Sequence, residues 1–164
     1  MKPEGTVNII SFLPMVFSIA SIIFSIVTFV ALKRRTYYSS LDSYYNSLLR
    51  DALANPEFRD LSFTSKYEPL NESNDLPEEK RKKIKQYEIY AFMCWNFCET
   101  VYDYCISNRD THLMTTWNCI IESENKLHRK WFFSDENKKN FKRGFQKHVE
   151  SIDDSKQQNT LVSR

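Results

Sequence analysis

Glycine is nearly missing from this chain: Gly5 and Gly144 are its only two in 164 residues. Phosphate-cradling loops, dinucleotide-binding turns and two-residue hairpins all draw on glycine for positive φ or close backbone approach. The scarcity therefore argues against a glycine-rich phosphate loop, a Rossmann turn and a hairpin-rich β fold. A dominant charge sign is missing too. The net charge of +2 does not fit a dedicated nucleic-acid binder. No G-x-S-x-G elbow offers a serine nucleophile, and no phosphoryl-transfer motif is present.

Charge is absent altogether from Val7–Leu32, VNIISFLPMVFSIASIIFSIVTFVAL, and then returns at once in Lys33, Arg34 and Arg35. A helix needs about 20 apolar residues to cross a bilayer core, and this run exceeds that. Pro14 lies near its N-terminal end, where a span tolerates it. A cleaved signal peptide has a shorter apolar core, basic residues before it and a small-residue cleavage site after it. Here the core is too long, the basic cluster follows it, and no such site closes it. The stretch is therefore expected to be an uncleaved transmembrane helix, with the lipid bilayer as its partner.

The flanks predict a direction. Before the run stand Lys2, Glu4 and the α-amino group; after it stand three basic residues. Basic flanks stay on the cytoplasmic side. Residues 1–6 are then an extracytoplasmic stub, and everything from residue 33 onward is cytoplasmic. Within the run, Ser11, Pro14, Ser18, Ser21, Ser25 and Thr28 recur at steps of three and four, which places them in one sector of a helix. Small hydroxylated residues let helices approach and bond across the contact. They form a candidate packing face for a homo-oligomer or a partner membrane protein, although serine also bonds its own i−4 carbonyl.

What remains is enough for one domain with one core. The expected fold is all-α: one N-terminal transmembrane helix followed by a cytoplasmic antiparallel helical bundle of about four helices. Residues 33–61 read as a juxtamembrane helical region. Leu41, Tyr45 (or Tyr44), Leu48, Leu49 and Leu53 recur at helical spacing, and Asn55-Pro56 breaks the pattern before a short helix, PEFRDL. Residues 62–75 read as a loop rich in Ser, Asn, Glu and Pro; it holds the formal glycosylation sequon Asn71-Glu72-Ser73. Residues 76–152 form the helical core, and 153–164 read as a disordered tail.

The central helix, roughly Leu76–Ser107, is predicted to start at an Asp75 cap with Pro77 in its first turn. Its opening run, Lys80 to Lys85, reads as a solvated face. From Tyr87 to Ile106 it is apolar nearly all round, as in a helix packed on several sides. Asp110 or Thr111 caps a next helix over about 111–131, with Met114, Trp117, Ile121 and Trp131 on one stripe. Ser134 starts a last helix, whose buried edge is Phe141, Phe145 and Val149 at i, i+4 and i+8.

Four cysteines occur: Cys94, Cys98, Cys105 and Cys119. A cytoplasmic setting keeps them reduced. The first three share one helical stripe and read as small buried apolar residues. As zinc ligands, Cys94 and Cys98 would need Cys119 and His112 or His128 to complete a set; their spacing is poor for this, since no second knuckle accompanies them. No metal site and no cofactor are expected.

Four residues carry what chemistry the sequence offers. Asn96 and Glu99 lie inside the aromatic wall of the central helix, and buried carboxylates need partners. Glu124 and His128 fall near the apolar stripe of the next helix. Together the four are expected to form a buried polar cluster. A carboxylate beside a histidine is able to exchange protons, which makes Glu99, His128 and Glu124 the candidate catalytic residues of a membrane-tethered enzyme built on a Glu99/His128 acid–base pair. The same arrangement more commonly fixes helix register. The favoured expectation is a membrane-anchored helical interaction or scaffold module, with no nucleic acid as partner and no committed catalytic residue.

Overall fold

A computed structural model describes residues 9–69 and 76–162, with side chains over 12–69 and 76–152. Among the described residues every regular element is helical. The first helix, α1 (Ile9–Ala54), contains Pro14 and runs on through the basic triplet. The chain divides into two compact units, one ending at Ser43 and the other starting at Tyr44.

In the first unit, the apolar side chains of α1 are exposed from Phe12 to Leu32, with Phe24 at 73%. Length and composition make this helix long and apolar enough to cross a membrane. Ser18 Oγ donates to Pro14 O and Ser25 Oγ donates to Ser21 O, both at 2.8 Å. Two hydroxyls of the expected packing face are therefore spent on their own helix, the i−4 bond that serine makes in spans. The Ser11 side chain and the residue 1–6 stub lie outside the described residues.

The second unit is built on aromatic rings. Proline at the start of PEFR fixes φ for a 3-10 turn, Pro56–Arg59. Asp60 then caps α2 (Leu61–Thr64) by accepting from Ser62 N at 2.8 Å. This helix occupies the start of the segment read as loop; the sequon and Asp75 lie outside the described residues. The central helix, α3 (Glu78–Asn108), begins at Pro77 without a side-chain cap. It ends when Arg109 takes the left-handed conformation, φ 53°. Asp110 then caps α4 (Thr111–Phe132) through Leu113 N at 3.0 Å.

Helices α3 and α4 run antiparallel: Phe97 meets Trp117 and Tyr87 meets His128. The all-round apolar stretch of α3 explains why. Tyr87, Tyr90, Ala91, Cys94, Trp95, Phe97, Cys98 and Val101 are all buried, more than one neighbour covers. Tyr44 and Tyr45 pack on Phe97, Phe58 on Tyr87 and Tyr90, and Phe132 on Trp95 with ring centres 4.2 Å apart.

The last helix is divided. Ser134 precedes the short α5 (Asp135–Lys138), and α6 (Arg143–Val162) starts after a turn. Phe141 sits in that turn, yet Phe141, Phe145 and Val149 are buried as the spacing requires. Helix α6 also continues to Val162, through much of the segment expected to be disordered.

Candidate functional site

The four polar residues expected to cluster separate into two pairs of places. Asn96 is exposed and Glu99 only half-buried. Glu99 Oε1 accepts from Lys142 N at 2.6 Å, just before α6, while Lys142 Nζ pairs with Asp103. Glu99 is therefore a docking carboxylate for the turn into α6, where backbone N–H groups lack helical partners. It is not the buried half of an acid–base pair with His128. The period of α3 put Asn96 and Glu99 on its aromatic wall. Helix register instead turns Asn96 outward and leaves Glu99 at the rim.

Glu124 and His128 do meet. They stand one turn apart on α4, and both are buried to within 1%. Oε2 of Glu124 lies 3.4 Å from Nε2 of His128. Neither atom has a hydrogen-bond partner among the described residues. The helix departs from helical angles at His128, φ −112° and ψ 19°, which re-aims the ring. Its Nδ1 faces Tyr87 Oη at 3.1 Å, and its carbonyl accepts from Trp95 Nε1 at 3.4 Å.

Three further residues complete it. Arg59, at the end of the Pro56 turn, pairs with Glu124 Oε1 at 2.6 Å. Tyr45 Oη donates to the same oxygen at 3.4 Å. Cys94 on α3 places its sulfur within 4.8 Å of the Glu124 and His128 donor atoms. A buried carboxylate demands a cation, which is the one signal that pointed to a basic partner. Nothing in the spacing of PEFR singles out Arg59.

Electrostatics make the site quiet. Burial pushes the Glu124 carboxyl up, but the His128 ring and the Arg59 guanidinium together hold it below the ordinary carboxylate range. Burial pulls Arg59 down, and the Glu124 charge more than reverses it. Burial, reinforced by the Glu124 charge, drives the Cys94 and Cys98 thiols well up. Burial likewise raises the Tyr45, Tyr87 and Tyr90 hydroxyls. A carboxylate locked to arginine is a weak general acid or base at neutral pH, and a neutral thiol is a weak nucleophile. Cys94, Cys98 and Cys105 are free and buried, and Cys119 is free and exposed.

Elsewhere in this unit a groove of about 1270 Å³ opens beside Thr64, Tyr67 and Trp131, with Lys85, Glu88 and Lys126 among its walls. Its walls carry charges of both signs. Compared with family models, curated proteins and solved structures, the chain matches none.

Proposed function

We propose that the chain is a single-pass membrane protein whose helical domain is a tethered interaction or scaffold module. The N-terminus faces out, and residues from 33 onward form a cytoplasmic antiparallel bundle. The observation that carries this reading is the unbroken exposure of large apolar side chains from Phe12 to Leu32. Such a surface is costly in water and costless in lipid. The basic triplet supports the direction. Arg34 Nη2 also donates to Tyr38 Oη at 3.1 Å, the pairing of cation and tyrosine that suits a headgroup layer.

The interaction role rests on the quiet chemistry of the buried cluster. The enzymatic alternative drew on a buried Glu99 beside His128, and Glu99 serves the start of α6 instead. Deleting residues 7–32 tests the tether. The full chain should sediment with membranes and resist carbonate extraction, while the truncated chain should appear in the soluble fraction. A truncated chain that stays with membranes would end the proposal. Self-association through the span is tested by replacing Ser18, Ser21 and Ser25 with leucine in a membrane two-hybrid assay. Loss of signal supports the seam; unchanged signal removes it.

A further inference from the structure

We propose that Cys94, Glu124 and His128 form a buried site for a single borderline divalent cation, with zinc as the ion that suits it. Thiolate, imidazole and carboxylate are all zinc ligands, and their mixture selects against hard cations such as magnesium or calcium.

Geometry carries the argument. Two ligand atoms about 2.0–2.1 Å from a tetrahedral zinc stand about 3.3–3.4 Å apart. Glu124 Oε2 and His128 Nε2 are 3.4 Å apart. Both are buried without a hydrogen-bond partner among the described residues. The two atoms face each other only through this long contact, so neither has a well-formed hydrogen bond, a costly arrangement in a buried site. Cys94 Sγ is within 4.8 Å of its two neighbours. A tetrahedral zinc sets its sulfur about 3.6 Å from the other ligand atoms, so closing the site needs a movement of at most about 1.2 Å, within reach of a side-chain rotation. Three protein ligands fill three of the four tetrahedral positions.

The surroundings fit the same ligand. A zinc-bound histidine usually donates its other ring N–H to an outer partner, which fixes the tautomer. His128 Nδ1 already faces Tyr87 Oη at 3.1 Å. Arg59 holds Glu124 Oε1 and so leaves Oε2 as the single metal-facing oxygen. On binding, the Cys94 S–H bond breaks, its proton passes to solvent and a sulfur–metal bond forms. Thiolate and carboxylate then offset the ion's two charges, and the Arg59 guanidinium leaves the cluster one positive charge. Cysteine spacing points only to a Cys94–Cys98 chelate completed by Cys119 and His112 or His128; here Cys94 is joined instead by Glu124 and His128 of the next helix.

The test uses the full chain in detergent, stripped by a chelator and titrated with zinc(II) alone or with cobalt(II) alone as a coloured probe. One equivalent of cobalt should bind and give a thiolate-to-cobalt charge-transfer band, and zinc should raise the melting temperature. Cys94→Ser should abolish the band and the zinc-dependent rise, while Cys119→Ser leaves both intact. Tyr87→Phe should weaken zinc about 10–100-fold without removing the band. A wild-type chain with no thiolate band and no zinc-dependent rise overturns the proposal. So does a band that survives Cys94→Ser and vanishes with Cys119→Ser. Should Cys94→Ser fail to fold, the wild-type measurements and Cys119→Ser still decide.

Discussion

Phe24 and Trp95 are both large aromatic residues near the middle of long helices, and their surroundings are opposite. Phe24 is 73% exposed and Trp95 is 0% exposed. Around Phe24, polar groups bond back one turn along their own helix, as Ser25 does to Ser21. Around Trp95 they reach across the fold, as Arg59 does to Glu124 and Glu99 to Lys142. The domain supplies its own apolar interior, so its stability comes from packing between helices. The apolar stretch of α1 supplies none, so its medium must.

The contrast is open to direct attack. Trp95→Ala should cost about 3–5 kcal/mol, from lost burial and the cavity left against Phe132 and Phe145. Phe24→Ala should leave the domain's unfolding midpoint unchanged. Denaturant unfolding of both variants in detergent checks this, and a comparable loss in each would erase the distinction.

Arg59→Met comes next. It strands a buried carboxylate, at about 3 kcal/mol, the low end of the range because the Arg59 side chain is 25% exposed. The variant should also change the pH response. The folded pKa of Glu124 lies below its ordinary 4.5. Its stabilising contribution is thus complete above about 4.5 and is lost as pH falls through the folded value. Without Arg59 the cause of much of that lowering is gone, so the acid limb of a melting curve should move to higher pH. An unmoved limb would mean that the ion pair is not what holds the carboxylate.

A smaller gain is expected from Arg109→Gly. Arg109 carries a side chain at φ 53°, where glycine is preferred by about 1 kcal/mol. The melting temperature should rise.

The smallest effect belongs to His148, whose pKa is pushed below 6.5 by burial. As pH falls past about 6.5 the unfolded chain takes the proton first, so folding weakens. His148→Gln should flatten that part of the curve, leaving the steeper limb of Glu124 in place.

Helix faces were legible because they repeat locally. Phe141, Phe145 and Val149 announced a buried edge, and the all-round apolar run of α3 announced a central position. The spacing places Glu124 and His128 on one stripe as partners for Asn96 and Glu99, whereas they face each other one turn apart on α4. Contacts between segments far apart in the chain were not legible. Arg59 lies in a four-residue turn with no period. Glu99 looked buried because its neighbours are aromatic, and its actual partner is a backbone N–H at Lys142. Cys94 kept the apolar stripe's expectation of burial while joining a polar group, a role that spacing does not encode.

All three tryptophans of the chain, Trp95, Trp117 and Trp131, are buried in the domain, and the apolar stretch of α1 has none. Tryptophan emission, excited selectively above the tyrosine band, is therefore a private signal of the domain, blind to whatever solvent surrounds Phe12 to Leu32. Trp95 is adjacent to Cys94 and bonds the His128 carbonyl, so its brightness is also an optical gauge of the cluster beside it.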